Sequence, residues 1–211
     1  MSKSEAVQEI DPVPAAPETQ NAPITYLLVD GENIDATLGS SILRQRPSPE
    51  ERPRWDRVLA KVQELYDDIP VRALFFLNAT VVGLPIPFIQ ALNALGYRPI
   101  PLSGPREDKV VDIAISRTLR AIAEEERPGN VVLVSHDGDF RDDVMRLLNG
   151  RRRVGLIGFR EFVNSGFREL VDTLGLQILD LEDDTKCFNQ VLPRVRVIEI
   201  ESYDPTLYLD L

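Results

Sequence analysis

Short apolar runs alternate along the chain with stretches in which apolar residues recur every three or four positions. The runs predict buried strands, and the periodic stretches predict helices that pack one face against a core. Strands are predicted at 24–29, 71–77, 98–102, 131–134, 154–157 and 176–181, and helices at 55–66, 85–95, 111–122, 140–148 and 167–174. Because strand and helix alternate, we predict an α/β fold with a mostly parallel central sheet and helices on both faces.

Two parts of this pattern are less regular. The strand at 98–102 contains Pro99 and Pro101, which lack the N–H group that a central strand needs, so we expect it to be short or at an edge. Near the end of the chain, 195–200 and 206–209 are two further strand candidates around a Ser-Tyr-Asp-Pro turn. They predict a C-terminal β-hairpin that extends the sheet or pairs with a second copy of the chain.

The pattern divides the chain into three parts. Residues 1–23 are rich in Ala, Pro, Glu and Gln without apolar periodicity, which predicts a disordered leader. Residues 24–183 form one predicted domain, and 184–211 form a C-terminal β extension. A length of 211 residues suits one domain with short appendages.

Composition excludes several classes of protein. Cys187 is the only cysteine and His136 the only histidine, so neither an internal disulfide nor a zinc cluster can form. No apolar run approaches the length of a membrane span, and the N-terminus has no signal-peptide core. We therefore expect a cytoplasmic protein that does not bind a membrane.

The net charge of −10 argues against a protein that coats nucleic acid non-specifically. Part of the acidic excess lies in the two flanking segments, while basic residues cluster within 44–57 and at 151–153. Attraction of phosphate depends on such local patches rather than on the net charge. A nucleic acid therefore remains a candidate partner.

Aspartates stand at the ends of predicted strands and at the start of one helix. Asp30 follows the first strand, Asp137 and Asp139 follow the strand at 131–134, and Asp112 lies near a helix start among apolar neighbours. Ligand sites in open parallel sheets lie beyond the carboxyl ends of strands, where the strand order changes direction. We expect these carboxylates to face one site.

Carboxylates that face one site repel one another unless protons or a cation neutralise them. Oxygen ligands of this kind suit Mg²⁺ or Mn²⁺, which often take a substrate phosphate as a further ligand, so the predicted chemistry is a phosphodiester reaction. Each of these aspartates also has an ordinary structural interpretation, because Asp-Gly turns end strands and Asp caps helices. His136, beside such a turn, is interpreted as structural.

Three motifs in this order resemble the NYN family, a branch of the PIN-like nucleases. They are Val29-Asp30-Gly31-Glu32-Asn33, Lys109-Val110-Val111-Asp112 and Ser135-His136-Asp137-Gly138-Asp139-Phe140, followed by a Gly-basic step at 150–153. Together they span about 24–183. The resemblance implies a three-layer PIN-like fold and Mg²⁺- or Mn²⁺-dependent processing or degradation of RNA.

The resemblance also implies roles for individual residues. The metal would be held by Asp30, Asp112, Asp137 and Asp139. Asn33 and Ser135 look like polar groups that orient a ligand, and Lys109 would meet a phosphate. The chain departs from the family at His136, where a small residue is more usual. It departs again at the Arg- and Pro-rich stretch 44–54, which contains Arg44 and Arg46. This stretch is interpreted either as a substrate-contacting arm or as a solvated loop.

The leading hypothesis is a metal-dependent ribonuclease. A non-catalytic RNA-binding or regulatory module on the same fold is the alternative from another class. A phosphatase of the haloacid-dehalogenase kind also places Asp after its first strand, but it would need a second Asp where this chain has Glu32.

Overall fold

The computed structural model describes residues 22–67, 69–80, 83–105, 108–195, 197–198 and 200–209. The predicted leader therefore lies outside the described residues, except for its last two positions. Within the described ranges, no helix combines the length and the apolar character that crossing a membrane requires.

Six strands form one sheet in the order β3-β2-β1-β4-β5-β6, and every neighbouring pair is parallel. The strands are β1 (Ile24–Asp30), β2 (Val71–Asn78), β3 (Tyr97–Leu102), β4 (Gly129–Val134), β5 (Val154–Gly158) and β6 (Gln177–Asp180). The helices are α1 (Gly31–Ala36), α2 (Trp55–Leu65), α3 (Ile86–Ala94), α4 (Val110–Glu124), α5 (Arg141–Asn149) and α6 (Ser165–Leu174). A π-helical segment (Thr37–Leu43) continues from α1. The predicted α/β fold class, with its parallel sheet, is confirmed.

The helices cover both faces of the sheet and form two cores. Successive side chains of a strand point to opposite faces. Leu27 and Val29 of β1 accordingly pack against the helices α1, α2 and α3, while Tyr26 and Leu28 pack against α4, α5 and α6. Every residue of β1 is buried, which is why its sequence is a continuous apolar run rather than an alternating one.

The proline-containing strand lies at one edge of the sheet, as predicted. β3 pairs only with β2, and Pro99 stands opposite Phe75 in that pairing. An edge strand needs hydrogen-bond donors on one side only, so the prolines do not interrupt the sheet.

The prediction of a C-terminal hairpin was wrong for the described residues. Ile200–Ser202 and Pro205–Tyr208 form short 3-10 turns, and Asp204 caps the second of them by accepting from the Thr206 amide. Val195 and Val197 are almost fully exposed. An alternating apolar pattern favours a strand only where another strand lies within hydrogen-bonding reach, and none of the described strands lies against this segment.

Core packing continues beyond β6. Cys187, Phe188 and Leu192 are buried in the core on the α1–α3 side of the sheet. The side chain of Arg194 is also buried and forms ion pairs with Asp180, Glu182 and Glu161. These contacts tie the segment after β6 to the carboxyl edge of the sheet.

Candidate metal centre

The predicted site lies where the strand order changes direction, between β1 and β4. Asp30 is the last residue of β1, and Ser135 directly follows β4, whose last residue Val134 pairs with Val29. The chain leaves these neighbouring strands toward opposite sides of the sheet, which opens a crevice at their carboxyl ends. The motif residues therefore begin from adjacent backbone positions.

Asp30 is 2% exposed and is held by two hydrogen bonds. Its Oδ1 accepts from the backbone N–H of Asn33 at 3.2 Å, and its Oδ2 accepts from the Ser135 hydroxyl at 3.0 Å. Burial, together with the negative charges of Asp112 and Asp137, raises the pKa of Asp30 to about 6, although these two hydrogen bonds act to lower it. Asp30 thus caps α1 and also presents a carboxyl group that is unusually reluctant to ionise.

Ser135 and Asp137 order the turn that follows β4. The fully buried Ser135 hydroxyl accepts from the backbone N–H of Asp137 at 3.2 Å. Oδ1 of Asp137 in turn accepts from the N–H of Asp139 at 2.9 Å. This series of hydrogen bonds fixes where the two carboxylates of the turn stand relative to Asp30.

Three carboxylates meet in front of this turn. Oxygens of Asp112, Asp137 and Asp139 all lie within 4.8 Å of one another, and Asp112 comes from the first turn of α4. The side chains of Asp112 and Asp137 are about one quarter exposed, whereas that of Asp139 is mostly exposed. Asp30 lies beside the three rather than among these closest oxygens.

Lys109 supplies a cation to the same three carboxylates. Its Nζ lies 3.1 Å from Asp139, 3.3 Å from Asp112 and 3.9 Å from Asp137. Hydrogen bonds with Asp139 and Asp112 raise the pKa of Lys109 above its ordinary value. In this structure Lys109 therefore neutralises carboxylates, and its contact with a phosphate stays a prediction.

The donor set fits a small divalent cation. Hard oxygen ligands converge, and the ammonium group held by all three carboxylates shows that this position attracts positive charge. Asp112, Asp137 and Asp139 would hold such an ion, with Asp30 behind them.

The family model of the NYN domain matches residues 24–174, more than half of the chain. The chain belongs to the NYN family. This is a nuclease-type family, and the match contains all three motifs. No curated protein matched the sequence significantly.

Asn33 of this NYN domain is positioned by the only histidine. The Asn33 Oδ1 accepts from the backbone N–H and from Nδ1 of His136, both at 2.8 Å. Nε2 of His136 accepts from the N–H of Phe159 at 2.7 Å, so the proton is on Nδ1. Burial lowers the pKa of His136 to about 4, which keeps the ring neutral. These contacts support its structural interpretation.

Sequence reasoning did not find the link between His136 and β5. A Cβ at Gly158 would lie 2.8 Å from Cδ2 of His136, so the imidazole of this NYN domain packs directly on a backbone without a side chain. The bulkier residue at position 136 is therefore accommodated by a glycine on the next strand. The available signal was Gly158, which ends the predicted strand at 154–157.

Glu32 and Asn78 were also missed as part of the NYN site. Glu32, in the first turn of α1, accepts a hydrogen bond from the Asn78 side chain, and partial burial together with Asp112 raises its pKa. Asn78 is the last residue of β2. The acidic site thus extends across the ends of three strands.

Arg44 and Arg46 lie at an open groove that does not include the aspartate cluster. Both are exposed, and together with Glu32 and Asp35 they line an open groove. Among the described residues, neither guanidinium forms an ion pair. Arg52 of the same stretch differs, because it binds both oxygens of Asp35 at 3.0 and 3.2 Å. The stretch 44–54 of the NYN domain therefore offers two charges that the fold itself does not neutralise.

Proposed function

We propose that this protein is a metal-dependent ribonuclease that hydrolyses phosphodiester bonds of RNA at Asp30, Asp112, Asp137 and Asp139. The observation that supports this most is the meeting of three carboxylates within 4.8 Å, beside the buried Asp30, in a NYN domain. Carboxylates this close together repel one another unless positive charge neutralises them, and a divalent cation would supply more of that charge than Lys109 does.

The cation would be Mg²⁺ or Mn²⁺, because the available ligands are carboxylate oxygens. When bound, such an ion neutralises charge on the phosphodiester and lowers the pKa of an attacking water. The protein supplies the geometry. The Ser135 hydroxyl and the backbone N–H of Asn33 orient the Asp30 carboxylate. The turn after β4 holds Asp137 and Asp139 in place.

The basic residues of the site would bind the substrate. Lys109 is 65% exposed and contacts all three carboxylates, so its ammonium group would be available to a phosphate if a cation took its place among them. Arg44 and Arg46 would contact the RNA backbone in the groove that Glu32 also lines, since their charges are not paired within the described structure. This placement favours the substrate-contacting interpretation of 44–54 over a merely solvated loop.

The proposal is tested by incubating the purified protein with labelled single-stranded RNA and measuring cleavage. One set of reactions contains Mg²⁺ or Mn²⁺, and the other contains a chelator. Asp137→Asn should lose about 100-fold or more in rate, while the control Asp172→Asn, on the exposed side of α6, should cleave like wild type. Equal rates for wild type and Asp137→Asn would identify a contaminating nuclease.

Two other outcomes would replace the proposal. RNA binding without turnover, unchanged when the aspartates are neutralised, would indicate the non-catalytic binding module. Hydrolysis of a small phosphate ester without cleavage of RNA would indicate a phosphatase.

Cys187 is a free, buried thiol, and we expect the enzyme to act in the reducing cytoplasm.

A further inference from the structure

A recess lies beside the carboxylate cluster, on the β2 side of the same sheet edge. Its volume is about 280 Å³, and its wall is largely apolar, with aromatic rings from Trp55, Phe75 and Phe88. Glu32 and Arg46 stand among its polar lining residues. A recess of this size lies near the lower end of small-molecule pockets, which begin at about 300 Å³, and suits one ring system rather than a duplex.

The aromatic wall is fixed by packing rather than formed by mobile side chains. Phe75 meets Trp55 edge-to-face with ring centroids 5.0 Å apart, and meets Phe88 in the same way at 5.4 Å. Gly31 lies against the Phe75 ring so closely that a Cβ there would approach Cε1 to 2.4 Å. Phe75 and Trp55 are therefore held in the buried core behind the recess, and Phe88 is the more exposed ring of its aromatic wall.

Charge at the rim complements a nucleotide. Arg46 lines both this recess and the open groove that contains Arg44, and neither guanidinium has an ion-pair partner within the described ranges. Arg52 is already bound by Asp35 on both oxygens and would hold that side of the rim in place. An aromatic interior with unpaired guanidinium groups at the mouth matches a flat base attached to a phosphate.

The recess and the candidate metal centre are contiguous. Gly31, which lines the recess, is bonded to Asp30, and Glu32 both lines the recess and interacts electrostatically with Asp112. A nucleotide whose base entered the recess would therefore bring a neighbouring phosphate toward the carboxylates.

We infer that this recess binds one unpaired nucleobase of the RNA substrate, next to the scissile phosphodiester, with Arg46 contacting the attached phosphate. The inference rests on the proposed ribonuclease function and deepens it. A base within a duplex cannot enter, so the substrate is single-stranded at this nucleotide. Stacking on aromatic rings tolerates every base, so the recess selects for strand state rather than for sequence.

Binding of RNA that contains 2-aminopurine, in chelator, tests the recess without requiring cleavage. The full-length protein should quench the fluorescence of the base at one position of the oligonucleotide. Phe88→Ala should weaken binding roughly tenfold, in line with the loss of one stacked base, and Arg46→Glu should weaken it similarly by reversing a rim charge. Ile86→Ala is the matched control, because Ile86 is exposed on the same helix and is outside the recess lining.

An abasic scan of a cleavable RNA is the second test. Removing one base next to the cleavage position should raise KM about tenfold for wild type, whereas Phe88→Ala should not respond to the same change. Equal responses of the two proteins at every position would overturn the inference. Because Arg46 is exposed, Arg46→Glu keeps the test valid if Phe88→Ala fails to fold.

The outcomes separate the two proposals. Position-specific quenching that is lost in Phe88→Ala, without any cleavage by wild type, would support the recess and refute the nuclease. Metal-dependent cleavage that neither abasic sites nor Phe88→Ala affects would support the nuclease and refute the recess.

Discussion

The Ser135 hydroxyl donates a hydrogen bond to Oδ2 of Asp30 at 3.0 Å, and both residues are buried. This bond joins the ends of β1 and β4 across the point where the strand order changes direction. The same hydroxyl accepts from the N–H of Asp137. One buried hydroxyl therefore links the Asp30 carboxyl group to the turn that carries Asp137.

We expect Asp30→Asn to separate stability from activity. The pKa of Asp30 is raised to about 6, so its ionised form costs folding free energy at every pH above the unfolded value of about 3.9. A neutral amide removes that cost, and at pH 7.5 the variant should be more stable by on the order of 1–3 kcal/mol. RNA cleavage should fall at least about 100-fold.

Urea unfolding in chelator and cleavage assays measure the two effects of Asp30→Asn. Asp172→Asn, an exposed aspartate of α6, controls for the loss of one charge. Full activity of Asp30→Asn would mean that this residue only caps α1.

We expect Lys109→Gln to bind Mn²⁺ more tightly than wild type. The ammonium group lies within 4 Å of three carboxylates, so it competes with an incoming cation. Because Lys109 is largely exposed and solvent screens these contacts, the gain should be modest, up to about fivefold in Kd. Titration calorimetry measures it, and Lys61→Gln, whose ion pair with Glu64 lies on α2, is the control. Weaker Mn²⁺ binding by Lys109→Gln would contradict this prediction.

We expect His136 to make the fold less stable in weak acid. Burial lowers its folded pKa to about 4, whereas the unfolded value is about 6.5. Between these values the unfolded chain takes up a proton that the folded protein does not bind. The stabilising contribution is therefore fully present above about pH 6.5 and is lost as pH falls toward 4, by on the order of 3 kcal/mol.

Unfolding free energies of wild type and His136→Gln at several pH values test this expectation. The variant should be the less stable protein at pH 7.5, and the gap should narrow as pH falls to 5. A gap that stays constant would show that His136 does not titrate differently in the two states.

We expect Arg194→Met to destabilise the protein by about 3–5 kcal/mol. The Arg194 side chain is 2% exposed and contacts Asp180, Glu182 and Glu161, so its loss removes the guanidinium that pairs with the buried carboxylate of Asp180. The matched control is Arg160→Met, because Arg160 pairs with Asp184 at the surface and should cost less than about 1 kcal/mol. Chemical denaturation measures both, and equal losses would contradict the argument.

Much of the sheet could be predicted because its signals are local. The continuous apolar run of β1 reflects burial on both faces, and Pro99 and Pro101 restrict β3 to an edge. By contrast, α1 is only six residues long and runs into the π-helical segment. A helix that short has no full amphipathic repeat, so periodicity did not reveal it.

The C-terminal hairpin failed for a different reason. Alternation of apolar and polar residues describes what a strand needs on its two faces, but it does not show whether a partner strand is within reach. The described residues after Arg194 have no such partner, and the apolar side chains Val195 and Val197 remain exposed.

The sequence by itself determined which carboxylates stand at strand ends and at the start of α4, because each of those positions depends on a local boundary between an element and a turn. The tertiary structure alone decided how they share the site. It placed Asp112, Asp137 and Asp139 within 4.8 Å, left Asp30 behind them with its pKa raised to about 6, and put Lys109 among the three. Distances and burial arise from contacts between segments far apart in the chain, and such contacts leave no spacing that a sequence pattern can show.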